Sequence, residues 1–186
     1  MRNKSEAVEI MRVGLILFVI TAVAALVLAY VNKVTAPVIK EQHEQKMQEA
    51  MEKVLPGAGD FKKTEFEITD NLCVSEIYES DAGFVVMAAP KGYGGEISMV
   101  VGIGKDISVT GISIISQSET AGLGAKCVDL GWQEQYVGKT EGIEVSKNGA
   151  KGNQIDAISS ATITSKAVTR GVNDAIEAVK ALGGDK

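Results

Sequence analysis

Residues 13–31 read VGLILFVITAVAALVLAYV, about 19 positions without a charged side chain. As a helix, such a run is ~28 Å long, close to the thickness of a bilayer's hydrocarbon core. A membrane-spanning helix is therefore the first expectation. Arg2, Lys4 and Arg12 precede it with Glu6 and Glu9, and Lys33 and Lys40 follow it with Glu41 and Glu44. That bias puts residues 1–12 in the cytoplasm and everything after residue 32 outside, with Tyr30 at the outer interface. A cleaved signal peptide is the competing reading. Its apolar region is usually ~7–15 residues and ends at a small-x-small site, which does not follow Tyr30. A buried soluble helix is a third reading, disfavoured by the unbroken apolar length.

Beyond the anchor, charge and composition narrow the function. A net charge of −5 and a pI near 5.0 exclude an electrostatic grip on nucleic acid, which needs a basic face. Cys73 and Cys127 are the two cysteines, too few for a thiolate metal cluster, and whether they pair stays open. His43 is the single histidine, which leaves few routes to acid–base catalysis beyond carboxylates. No metal site is expected.

Residues 36–55 carry Pro37 near their start and apolar positions Val38, Met47, Met51, Val54 and Leu55 among mixed charges. This pattern predicts a polar helical stalk with a thin apolar stripe, ended by Pro56-Gly57, with His43 solvated on it. Then the texture changes. Leu72–Tyr78, Gly83–Ala89, Ile97–Ile103 and Ile107–Ile115 are β-branched runs separated by Gly- and Asp-containing turns, as in an antiparallel meander. Residues 129–138 should form a short helical or irregular element, with Trp132 and Tyr136 facing the sheet together. Residues 141–158 have room for one or two short strands. The helix over about 163–182 puts Val168, Val172, Ala175, Ile176, Val179 and Leu182 on one face, and the tail from Gly183 should fray. The fold class is α+β. The expected segments are 1–12, a transmembrane helix at 13–31, a stalk at 32–56, a domain at 57–182 and a tail at 183–186.

Three loops could carry chemistry: KGYGG (91–95), SETAGLGAK (118–126) and DAISSAT (156–162). The first two fit ordinary glycine turns as well as they fit a ligand contact, and neither has the spacing of a phosphate loop or a dinucleotide fingerprint. The third runs into the last helix, whose first N–H groups lack internal partners and whose dipole favours an anion. Ser159, Ser160, Thr162 and Thr164 could complete a phosphate site, or a hydroxyl could simply cap the helix. From the residues alone both readings stand.

Taken in order, the anchor, the GYGG turn, the ETAGLG loop and the SSAT motif resemble the FMN-binding domain family. The resemblance covers nearly the whole chain. Within the family it points to the RnfG branch, part of Rnf complexes, with the NqrC branch of the sodium-pumping NADH:quinone oxidoreductase as a cousin. The short span between anchor and domain favours the first. Ser160 stands where the family has glycine, and Ala121 where it has proline. The resemblance implies FMN esterified through its phosphate to Thr162, with Ser159, Ser160, Ala161 and Thr164 around that phosphate. It also implies Glu119, Thr120, Gly122 and Leu123 along the flavin ring and Tyr93 nearby, while Trp132 reads as a packing residue.

A threonine hydroxyl is a poor nucleophile without a base or metal, and no histidine lies near Thr162 in sequence. The family implication is a separate magnesium-dependent flavin transferase that takes FMN from FAD, with Asp156 in its recognition motif. The expected function is that of an electron-carrying subunit, with no catalytic site of its own, in an ion-translocating ferredoxin:NAD oxidoreductase. It would sit in the cytoplasmic membrane with other subunits, its main domain outside. The alternatives are membership of the quinone reductase and a non-redox, membrane-tethered binding or structural role.

Overall fold

The computed structural model describes residues 2–64 and 71–183, with side chains described from residue 8 onward. It divides into two units, Met1–Glu44 and Gln45–Lys186. The described residues of the first are helical, part of α1 (Arg2–Val54), which runs without interruption through Pro37. α1 is long and apolar enough to cross a membrane, and none of its most apolar window is buried.

The second unit is built on a five-stranded antiparallel meander. Its strands β1 (Lys62–Thr64), β2 (Val74–Ser80), β3 (Gly83–Ala88), β4 (Ser98–Gly104) and β5 (Val109–Ser116) lie side by side in chain order. Four of these follow from the expected β-branched runs. β1 was not expected: three residues give no period, and its lysines suit a charged sheet edge. β5 begins two residues later than the Ile107 start. Ile107 sits at φ 61 in a turn closed by Gly104 N–H on the Ser108 carbonyl.

The sheet is covered on both faces, which explains why β4 contains no charged residue and is almost wholly buried. On one face Val86, Ala88, Met99, Val101 and Ile103 pack against α3 (Thr162–Gly183) through Val168, Val172, Ala175, Ile176 and Val179. On the other, Val85 and Val100 pack against Ala50, Met51, Val54, Leu55 and Ala58. The last turns of the expected stalk are therefore core, packed within the unit Gln45–Lys186. Gly102 and Gly111 pair across β4 and β5 and make room for that helix end. A Cβ on Gly102 would collide with the Val54 carbonyl, which accepts a 2.5 Å hydrogen bond from the Thr110 hydroxyl.

After β5 come a 3₁₀ turn (Gly124–Val128), the short helix α2 (Leu130–Gln133) and a second 3₁₀ turn (Glu134–Tyr136). Strands β6 (Glu144–Ser146) and β7 (Gln154–Asp156) pair in parallel. Trp132 and Tyr136 meet edge to face with ring centroids 5.5 Å apart. Tyr136 is fully buried and shares a 2.8 Å hydrogen bond with Thr169, whereas Trp132 is half-buried and donates through Nε1 to the Asp156 carbonyl. Cys73 and Cys127 are both free. Burial and the Asp174 carboxylate push the Cys73 thiol up to about 12, and burial with the Glu119 charge pushes Cys127 up to about 11. Of the expected tail, residues 184–186 lie outside the described residues.

Candidate functional site

β3 ends, β4 begins and β5 ends at one end of the sheet, because the antiparallel register sets Ser98 opposite Ser116. The 91–95 loop and the 118–126 loop therefore emerge side by side. α3 brings the third segment to the same place by lying close on the sheet. A Cβ on Gly171 would stand 2.9 Å from both Met99 Sδ and Pro90 Cγ, so only glycine permits this approach. Three loops scattered over some 70 residues of sequence thus surround one cleft of about 440 Å³, within the usual range for small-molecule sites.

Its lining contains Tyr93, Glu119, Thr120, Leu123, Ser160, Ala161, Thr162 and Thr164 from the sequence expectation, joined by Gly124 and Ile163. Ser159 and Gly122 are not in the lining. Ser159 is exposed, and Gly122 takes φ +77 in the turn behind Leu123. That turn holds without the family's proline, because the Thr120 carbonyl accepts from the Leu123 and Ala125 amides. Asp156 lies outside the cleft, exposed at the end of β7. Its amide donates to Gln135 at 2.7 Å and its carbonyl accepts from Trp132.

Glu119 joins the three loops. Its side chain is buried, Oε1 accepts from the Gly94 amide at 2.7 Å, and Oε2 accepts from the Thr164 hydroxyl. Its own amide donates to Gln117 Oε1 at 2.5 Å. Two glycines crowd the carboxylate. A Cβ on Gly92 would come within 2.5 Å of Oε1, and one on Gly124 within 2.6 Å of Oε2. A side chain at either position would displace the Glu119 carboxylate, which the spacing of the loops did not reveal. The Thr164 hydroxyl is committed to Glu119.

The start of α3 decides between a simple cap and a binding end. Ala161 occupies the cap position, its carbonyl accepting the first helical bond from Ser165. The Ser165 hydroxyl accepts from the Ile158 amide at 2.9 Å and donates back to Ala161 O, which ties down the entering chain. Among the described residues, the hydroxyls of Ser159, Ser160 and Thr162 make no hydrogen bond that caps the helix. Helix geometry leaves the Thr162, Ile163 and Thr164 amides without internal acceptors. Ser160 sits at φ 62, a left-handed conformation that glycine adopts without cost. Around the mouth, Tyr93 (73% exposed), Ile163 (56%) and Leu123 (41%) offer apolar surface to a flat ligand. Ile163 was missed in sequence, although an exposed isoleucine in a first helical turn is a usable signal.

Residues 92–177 match the model of the FMN-binding domain, and residues 1–54 match that of the RnfG N-terminal region. The G subunit of the Na(+)-translocating ferredoxin:NAD(+) oxidoreductase complex from Acetobacterium woodii is 39% identical over 93% of each chain. The chain belongs to the RnfG family. A second relative, the G subunit of the proton-translocating ferredoxin:NAD(+) oxidoreductase complex of Clostridium ljungdahlii, is 32% identical over 88% of each chain. The two relatives are named for different ions. The crystal structure of the C subunit of the Na(+)-translocating NADH-quinone reductase from Parabacteroides distasonis shares the fold. Its TM-score is 0.60 at 18% identity, over 80% of this chain and 97% of that one.

Proposed function

We propose that the cleft of this RnfG-family chain holds FMN, with its phosphate at the start of α3 and esterified to Thr162. The chain then relays electrons inside a membrane-bound, ion-translocating ferredoxin:NAD oxidoreductase. One observation carries this reading: the uncapped amides of residues 162–164 and the Thr162 hydroxyl share a cleft with two glycine loops. The donor set suits the ligand. Three amides at the positive end of a 22-residue helix favour a phosphate, and Tyr93, Leu123 and Ile163 suit a planar ring. Bound there, the isoalloxazine ring would supply the capacity to accept and release electrons. The chain's part is to hold the phosphate, fix the ring between its loops and limit water around it.

Attachment requires a catalyst from outside. Glu119, the carboxylate in the cleft lining, is occupied by Gly94 and Thr164. A flavin transferase would find Asp156 exposed beside the acceptor segment, its backbone pinned by Trp132 and Gln135. The charge bias around residues 13–31 argues for a cytoplasmic N-terminus and a domain on the opposite side of the membrane. A covalent bond has a use there, because released FMN would be lost by dilution.

The test is made on full-length protein co-produced with a flavin transferase. After denaturation, the parent band should fluoresce and its intact mass should include FMN. Thr162→Ala should show neither. A parent without covalent flavin, beside a transferase control that works, would refute the linkage.

A further inference from the structure

The Glu119 carboxylate has a feature that loop bracing alone does not need. Both of its oxygens accept hydrogen bonds from neutral groups, the Gly94 amide and the Thr164 hydroxyl. Such a donor set suits an ionised carboxylate, which is acceptor-only. Among the described residues no lysine or arginine forms a salt bridge with it. The residue is only 8% exposed and lines the cleft. A buried negative charge without a cationic partner is costly, and it acts over distance because little water screens it. Bracing three loops could be done by an uncharged amide of the same shape.

We propose that Glu119 is a positioning residue that also holds the reduction potential of the bound flavin low, through an uncompensated negative charge fixed between Gly94 and Thr164. This inference rests on the FMN reading given above. A neutral ring that takes up two electrons and one proton gains one net negative charge. A carboxylate in the cleft wall opposes that gain, while the first-turn amides of α3 favour negative charge at the phosphate end. The electron pair and the proton come from the redox partner and from water. Glu119 changes neither count; it changes the energy difference between the two states.

Two variants of the full-length, FMN-loaded protein separate charge from shape. Glu119→Gln keeps an oxygen for the Gly94 amide and a nitrogen for Thr164, and removes the charge. At a fixed applied potential the ratio of reduced to oxidised flavin should rise about tenfold, roughly 30 mV for a two-electron couple. Thr164→Val keeps the charge, removes one of its two hydrogen bonds and preserves side-chain shape. Here the ratio should fall. Potentials are read by equilibration with reference dyes. A readout on flavin-free protein accompanies them: hydrogen exchange at the Gly94 amide should stay slow in Glu119→Gln and become fast in Glu119→Ala. Unchanged potentials in both variants, or shifts of the same sign, would overturn the proposal. If Glu119→Gln does not fold, the sign of the Thr164→Val shift decides alone. A parent that binds no FMN is a different failure, that of the cofactor reading, and shows before any variant is compared.

Discussion

Ser160 is the position where the conformation at the mouth of the cleft can be weighed most directly. It sits at φ 62 immediately before the cap of α3 and its side chain is exposed. For an L-residue other than glycine the left-handed region costs ~1–2 kcal/mol. Ser160→Gly removes that cost and loses no side-chain hydrogen bond found among the described residues. Against it stands the greater freedom of glycine in the unfolded chain, ~0.4–1 kcal/mol. The net expectation is a gain of about 0.5–1 kcal/mol, a rise in Tm of about 2–3 °C for a domain of this size. Ser160→Val should move the other way by more than ~1 kcal/mol, because a β-branched side chain at positive φ is a true outlier. Thermal unfolding of the full-length protein in detergent, followed by near-ultraviolet circular dichroism, measures both. A lower Tm for the glycine variant, or a valine variant indistinguishable from the parent, would refute the backbone argument.

Three further outcomes follow from the core. With Cys127 at about 11 against an ordinary thiol at 9.0, its thiolate population at pH 8 is reduced about a hundredfold. Alkylation should therefore be slow in the folded protein and fast after denaturation, as mass spectrometry would record. The same shift has a sign for stability. The folded state keeps a proton that the unfolded thiol loses, so this contribution is complete below about pH 9. It disappears as pH rises through 11, so the unfolding midpoint measured at pH 11 should lie below that at pH 8. Gly102→Ala should destabilise by ~1–3 kcal/mol in denaturant melts, since its methyl meets the Val54 carbonyl and the Thr110 hydroxyl. An unchanged midpoint would mean that the end of α1 is not seated as described.

How far the sequence could be read depended on the range of the interaction. β-branched runs bounded by turns located β2 to β5, and the stripe from Val168 to Val179 located α3, because each signal is local. The apolar stripe through Met51, Val54 and Leu55 was visible too, but its partner, the second face of the sheet, was not. A stripe that thin is equally compatible with a solvated stalk. β1 was too short to show any pattern. At the site, the loops were found by composition and by family resemblance, and most of the residues named for them line the cleft. The role of Glu119 was not legible, since its contacts with Gly94 and Thr164 span 25 and 45 residues. Glycines 92, 94 and 124 resembled flexible turn residues, whereas packing leaves no room for a Cβ at any of them.

The opening of α3 shows why composition misled in one respect and informed in another. Five hydroxyl residues within seven positions, Ser159 to Ser165, predict a Ser or Thr cap by residue preference alone. Instead alanine takes the cap position, and the one hydroxyl that braces the turn, Ser165, does so from inside the helix. A capping side chain at position 161 would satisfy an amide at residue 163 or 164, and both residues line the cleft. Leaving them free costs helix stability, and the Ser160 conformation adds to that cost. Both costs fall at the same turn, beside a cleft whose walls are otherwise tightly hydrogen-bonded. An anion bound in the cleft would satisfy the helix end. The proposed FMN phosphate is such an anion, and it would offset the cost of building the turn with alanine where a serine cap is ordinarily preferred.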